Sequence, residues 1–279
     1  MKRIVIAFCT VSVLFACNGN QRQKESNAEP DMAATAIDSA GQYAFEIDET
    51  VDIPMPKAAD ELFDDFFYNF AASKKLQLER ILFPLTLVED GKTAKIDRKA
   101  WKMEYFFMRQ GYYTLLFDNE RQMDIVKDTA VSHAVVEKIF FDTQTIRQYV
   151  FDRIRGTWML TSLHLVPISD SSNATFLEFF HRFATDKEFQ AESLGTSVKF
   201  MGPDPDDDFA MMEGEITADT WEAFAPELPK KMIYNIVYGH PRKEGNSMIF
   251  LLRGIANGQE LQMTFRRADG NWRLTKLST

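Results

Sequence analysis

The chain has 279 residues, a formal net charge of −9 and 24 Phe among its aromatic side chains. An acidic chain without a basic cluster fits phosphate backbones poorly, which sets nucleic-acid binding aside. The length beyond residue 57 suits two domains of roughly 100 residues each, with enough aromatic mass to fill two cores.

Lys2 and Arg3 precede an apolar stretch from Ile4 to Leu14. It is too short for a stable span and is of the kind removed at a small-residue cleavage site. Leu14-Phe15-Ala16-Cys17 closes it and resembles a bacterial lipobox. That resemblance implies a signal peptide over residues 1–16, lipid on Cys17 and attachment to a membrane through the anchor. An ordinary secretory signal with a chance Cys, or a short uncleaved anchor, are the plainer readings of the same residues. Asn18 follows where Asp would imply inner-membrane retention, so the resemblance implies an outer-membrane lipoprotein, and Asn18 to Lys24 lacks an acidic surface-display cluster, which favours the periplasmic face. Loss of Lys2 and Arg3 takes the charge from −9 to −11. Cys9 would leave with the signal and Cys17 would carry lipid. The folded part then has no disulfide, thiol nucleophile or thiolate metal site.

Residues 17–57 are polar and end in Pro54 and Pro56, as a flexible tether would. Some 40 such residues reach roughly 35 Å. Tyr43 to Asp48 alternates apolar and acidic side chains, which suits an edge strand as well as a tether.

Beyond the tether the sequence repeats. Gly156-Thr157-Trp158-Met159-Leu160-Thr161-Ser162-Leu163 returns as Gly270-Asn271-Trp272-Arg273-Leu274-Thr275-Lys276-Leu277, and such self-similarity marks one structural unit used twice. A helix capped by Asp60 carries Leu62, Phe63, Phe66, Phe67 and Phe70 at helical spacing, and Phe176, Leu177, Phe179, Phe180 and Phe183 repeat the stripe. Phe66 to Phe179 is an offset of 113, Trp101 to Trp221 of 120, and Trp158 to Trp272 of 114. The second copy therefore gains about seven residues, placed at Gly202 to Asp208, and then loses about six from the region matching Asn119 to Ser132. Each copy reads as helix, short strands, a Trp-bearing helix and a three-stranded meander. Val135–Phe141, Ile146–Ile154 and Trp158–Leu165 form the first meander, and Met248–Ile255, Leu261–Arg267 and Trp272–Leu277 the second. Asn257-Gly258 and Asp269-Gly270 supply tight turns.

This order, with its Gly-x-Trp-x-Leu final strand, resembles the nuclear-transport-factor-2-like fold of the cystatin-like class. The resemblance implies an α+β protein of two tandem domains, 58–167 and 172–279, each a curved antiparallel sheet packed on helices. The lipobox, tether and tandem copies together look like uncharacterised envelope lipoproteins of Gram-negative anaerobes.

Signatures of specific chemistry are missing: no phosphate-binding Gly-x4-Gly-Lys, no His-Glu-x-x-His and no Gly-x-Ser-x-Gly. Asp204, Asp206, Asp208 and Glu215 match positions 1, 3, 5 and 12 of a calcium loop, but Phe209 stands where the turn needs Gly, so a solvated acidic insertion is the better reading and no metal site is assigned. Domains of this class often hold a pocket between sheet and helices. The resemblance points to Tyr113, His133, Tyr149 and His164 in the first copy, and to Tyr234, Tyr238, His240 and Arg253 in the second. His164 shares strand parity with Trp158 and Leu160 and is expected to point inward. Asp38-Ser39-Ala40 and Asp128-Thr129-Ala130 resemble three-residue O-glycosylation sites. No catalytic set and no cofactor follow. The expectation is a non-catalytic binding module for a small molecule, glycan or envelope protein, with an isomerase- or hydrolase-type enzyme or an assembly subunit as alternatives.

Overall fold

The computed structural model describes residues 60–279 except 205–206, 242 and 256. The signal, Cys17, the tether and the Tyr43–Asp48 segment lie outside the described residues. Two short helices open the fold, α1 (Phe63–Ala72) and α2 (Lys74–Glu79). Six strands follow: β1 (Ile81–Glu89), β2 (Lys92–Ile96), β3 (Tyr112–Phe117), β4 (His133–Phe140), β5 (Thr145–Ile154) and β6 (Thr157–Pro167). The same order then recurs: α3 (Ala174–Thr185), α4 (Lys187–Glu192), β7 (Leu194–Asp204), β8 (Asp207–Ile216), β9 (Met232–Tyr238), β10 (Ser247–Gly254), β11 (Glu260–Ala268) and β12 (Asn271–Ser278). Among the described residues no helix is long and apolar enough to cross a membrane.

The boundary expected between 167 and 172 falls between β6 and α3, yet the sheet runs through it. All twelve strands form one sheet, ordered β2-β1-β6-β5-β4-β9-β3-β10-β11-β12-β7-β8. At its centre β3 and β9 have changed places. β4 pairs antiparallel with β9, β10 pairs antiparallel with β3, and β3 and β9 lie parallel at Thr114 and Asn235. A parallel pair of equivalent strands implies a pseudo-two-fold axis along the strand direction, and such an axis exchanges the two faces of the sheet.

The cores obey that symmetry. Side chains alternate across a strand, so Tyr234, Ile236 and Tyr238 of β9 join the α1 core, whereas Ile233 joins the α3 core. On β10, Ile249 and Leu251 serve the first core, and Met248 and Phe250 the second. Each half therefore contributes strands to the other's core. Phe63, Phe66, Phe67 and Phe70 are all buried on α1, meeting Phe151 and Trp158 edge-on or stacked at centroid distances of 4.9–6.4 Å. Phe176, Phe180 and Phe183 are buried on α3 in the same way.

The Gly-x-Trp-x-Leu-Thr repeat has a local explanation. Gly156 (φ 82°) follows Arg155 (φ 52°), and Gly270 (φ 80°) follows Asp269 (φ 50°). Two successive positive φ values are what a two-residue hairpin matched to strand twist demands. Trp158 and Trp272 are buried, as expected. A bulge follows each Trp, where Thr161 Oγ1 donates to the Val150 carbonyl (3.1 Å) and Thr275 Oγ1 to the Thr264 carbonyl (3.0 Å).

Two expectations need correction. Asp60 does not cap α1: its carboxylate takes both guanidinium nitrogens of Arg80 (2.8 and 2.9 Å), and the Trp158 N–H donates to it at 3.3 Å. The Trp-bearing helices are single 3-10 turns, Arg98–Ala100 and Trp221–Ala223. Their tryptophans are fixed by buried glutamines, with Trp101 Nε1 donating to Gln77 (3.1 Å) and Trp221 Nε1 to Gln190 (3.0 Å). Each glutamine in turn donates to the helix it follows, at the Phe70 and Phe183 carbonyls (both 3.1 Å). At the acidic insertion, Gly202 to Asp204 end β7 and Asp207 and Asp208 open β8, both strands being longer than their counterparts β1 and β2.

Candidate functional site at the strand crossing

Exchange of β3 and β9 has a consequence at their carboxyl ends. The connection leaving β3 must pass β9 to reach β4, and the connection leaving β9 must pass β3 to reach β10. Two chain segments therefore cross at one edge of the sheet, an arrangement most folds avoid. The first crossing is the longer one and winds through a 3-10 helix, Glu120–Lys127. This difference in length is the stretch the second copy lacks.

A cleft of about 660 Å³ opens at the crossing. Its floor is Leu116, Phe117, Ile236, Val237 and Tyr238, the last residues of the two central strands, and its rim holds Asp118, Asn119, Arg121, Gln122, Asp124, Asp128, Ser172, Asn173 and His240. Gln122 ties the rim by accepting the Asp118 N–H (2.8 Å) and donating to the Asp118 carboxylate (3.0 Å). His240 stacks on His133 with ring centroids 4.6 Å apart, and His133 Nδ1 lies 2.7 Å from Asp152 Oδ1. The Gly239 N–H donates to the His133 carbonyl at 2.8 Å, so the second crossing segment is pinned to the start of β4.

The expected pocket residues regroup across the copies. Tyr113 of the first set joins Tyr238 and Arg253 of the second around Asp64 of α1. Tyr238 donates to one Asp64 carboxylate oxygen, and Tyr113 lies 3.5 Å from the other. Arg253 binds Glu260 at 2.6 Å and touches the Tyr113 hydroxyl. Burial pushes the Asp64 carboxyl up, against the lowering effect of Tyr238 and Arg253. Burial and the neighbouring carboxylate push Tyr113 up to about 12.

Tyr149 and Tyr234, again one from each set, meet at Glu104. Their hydroxyls donate at 2.9 and 3.2 Å, and Lys138 Nζ lies 3.2 Å away. Burial opposes charge on Glu104, but the Lys138 ammonium and the two phenols outweigh it and hold the carboxyl below its ordinary value. Burial raises both tyrosines.

His164 corrects the parity argument. The bulge at Thr161 shifts the strand by one position, so Leu163 enters the core and His164 turns away to meet Ser162 at 3.0 Å. Of the residues matched to a calcium loop, Asp204 ends β7 and Glu215 lies down the ladder opposite Lys199, while Asp206 is outside the described residues. Among the described residues no group of three acidic, His or Cys side chains is placed to hold a metal.

Asp64, Glu104 and Lys138 escaped the sequence reading. Asp64 looks like an ordinary acidic residue in a first helical turn, and Glu104 lies between elements. Exchange of strands brings Tyr238 of β9 to Asp64 and Tyr234 of β9 to Glu104, where Tyr149 of the same half already stands.

A protein of known structure shares this architecture. The chain is 43% identical to an NTF2-like protein from Bacteroides fragilis NCTC 9343 whose crystal structure was determined at 2.15 Å. The match covers 81% of this chain and 98% of that one, with a TM-score of 0.73. The fold is thus NTF2-like and α+β. No curated protein matches. The model of the family described as "Domain of unknown function (DUF4348)" matches residues 43–279, nearly all of the folded chain, and the protein belongs to that family.

Proposed function

We propose that the protein is a non-catalytic binding module that takes a small hydroxyl-rich ligand, such as a sugar unit, in the crossing cleft. The carrying observation is the cleft's chemistry. A volume near 660 Å³ lies within the usual range for small-molecule sites, and an apolar floor under a few convergent polar groups is their usual lining. Carboxylates, amides, a guanidinium and a hydroxyl on one rim can both accept from and donate to sugar hydroxyls. Three aspartates against one arginine disfavour an anionic ligand.

The Glu104 cluster supports binding rather than chemistry at the core. Tyr149 and Tyr234 are 1% and 2% exposed, and their hydroxyls are committed to Glu104. One observation favours the enzymatic alternative: Tyr238 both lines the cleft and donates to Asp64.

Titration calorimetry with a panel of neutral mono- and oligosaccharides tests the proposal. Arg121→Ala and His240→Ala should each weaken a binding sugar by about tenfold or more, the effect of losing about 1.4 kcal/mol, without moving the melting temperature. Unchanged affinity in both variants would remove the cleft as the site. Turnover of a bound ligand that Asp64→Asn abolishes would move the protein to the enzymatic reading.

The module is carried, in this reading, on a lipid at Cys17 on the periplasmic side of the outer membrane, which the Leu14-Phe15-Ala16-Cys17 sequence supports. Cys17→Ser should leave an unprocessed N-terminus and lose stable membrane association. Identical fractionation and N-terminal mass in wild type and variant would refute the anchor.

A further inference from the structure

The two ends of the twelve-stranded sheet are β2 and β8, and among the described residues neither has a strand on its outer side. A free strand edge presents unpaired N–H and C=O groups and is a template for another chain. These two edges carry opposite charge. β2 reads Lys-Thr-Ala-Lys-Ile, with Lys92 and Lys95 exposed, Lys95 Nζ donating to Thr86 Oγ1 at 2.7 Å, and Asp97, Arg98 and Lys99 following the strand. On β8, Glu213 and Glu215 are exposed with no cation in the strand. Lys92 stands opposite Glu89 and Glu215 opposite Lys199 in their own ladders, but among the described residues neither pair closes into an ion pair.

We infer that copies of this chain associate head to tail, the β2 edge of one continuing the sheet along the β8 edge of the next. Charge decides between the possible pairings. Side chains alternate along a strand, so Lys92 and Lys95 lie on opposite faces of β2 while Glu213 and Glu215 share one face of β8. Joining β2 to β2, or β8 to β8, brings like charges together and is destabilising, whereas β2 against β8 brings one lysine opposite a glutamate. A contact between two different patches does not close on itself as a two-fold dimer does, so it extends. Met211 and Met212, 53% and 38% exposed on β8, supply apolar area beside the ladder. β2 is only five residues long, so the shared ladder is short and the contact is weak, reversible and sensitive to salt.

Sedimentation velocity on residues 18–279, which keep every described residue and omit the apolar Ile4–Leu14 stretch, over a wide concentration range at low and high salt, reads this directly. The protein should associate with rising concentration at low salt and dissociate at high salt. Lys92→Glu with Lys95→Glu gives two acidic edges, and Glu213→Lys with Glu215→Lys gives two basic edges. Each double variant alone should associate at least about tenfold more weakly than the parent chain. An equimolar mixture of the two should recover association, because unlike edges meet again. All these positions are exposed, and matching thermal melts check that folding is intact. A parent chain that stays monomeric throughout overturns the inference. So do charge variants that associate as the parent does, or a mixture that recovers nothing.

Discussion

Two buried glutamates show how differently this sheet treats the same side chain. Glu104 has a lysine and two phenols. Among the described residues, Glu137, 5% exposed, has only the amides of Gln148 (3.0 Å) and Asn235 (3.0 Å), and Asn235 Oδ1 is itself without a partner. Burial raises the Glu137 carboxyl. A carboxyl raised on folding contributes stability below its unfolded pKa, and that contribution is lost as pH rises through the folded value. Glu137→Gln should therefore gain stability at neutral and alkaline pH. The gain is about 1 kcal/mol, the net worth of a hydrogen bond, once the new amide and a rotated Asn235 satisfy each other. The gain should shrink in acid. Glu104→Gln should behave oppositely. Its carboxyl is lowered on folding, so its contribution is present above the unfolded pKa and lost as pH falls through the folded one. Denaturant melts at alkaline and acid pH read both signs. A Glu137→Gln protein weaker than its parent at every pH would show that the carboxylate is held ionised. Neither glutamate was legible in the sequence, because what distinguishes them is the company of strands that lie far apart along the chain.

At the scale of elements, the final strand of each half was legible and the reason is local. Gly156 and Gly270 must take positive φ, Trp158 and Trp272 fill the space beside a phenylalanine helix, and Thr161 and Thr275 close a bulge; each requirement is met within a few residues. The inward-pointing His164 was misread for the same reason that Thr161 recurs, since a bulge reverses parity without any mark in the alternation. Trp158→Ala and Trp272→Ala should each cost about 3–5 kcal/mol, the range for removing a large buried aromatic. Separate tandem domains would lead each change to disrupt its own half. Shared strands predict otherwise: both variants should unfold in a single transition, with tyrosine and tryptophan probes coincident. Two resolved transitions in either variant would mean that the halves are energetically independent despite the continuous sheet.

The whole molecule turns on β3 and β9, and here sequence patterning has nothing to offer. Tyr-Tyr-Thr-Leu-Leu-Phe and Met-Ile-Tyr-Asn-Ile-Val-Tyr both read as strands buried on two faces, and a strand of that kind fits beside either β4 or β10. What records the choice is side-chain bonding across the halves. Tyr238 and Tyr234 donate to Asp64 and Glu104 of the first half, Thr114 Oγ1 donates to the Tyr234 carbonyl at 3.0 Å, and Asn235 serves Glu137. Removing either half therefore strips the other of core residues, and removing the second also takes Tyr238 from Asp64, Tyr234 from Glu104 and Asn235 from the buried Glu137, a costly state. Fragments 58–167 and 172–279, made separately, should lack cooperative melts and sharp amide spectra. Mixed, they should assemble into one particle with the full chain's tyrosine and tryptophan environments, because each supplies the strand the other is missing. The opposing outcome is equally visible. If each fragment melts cooperatively alone, β3 can take the place of β9 beside β4, the exchange is one of two accessible arrangements, and the crossing cleft exists only when the halves are covalently joined.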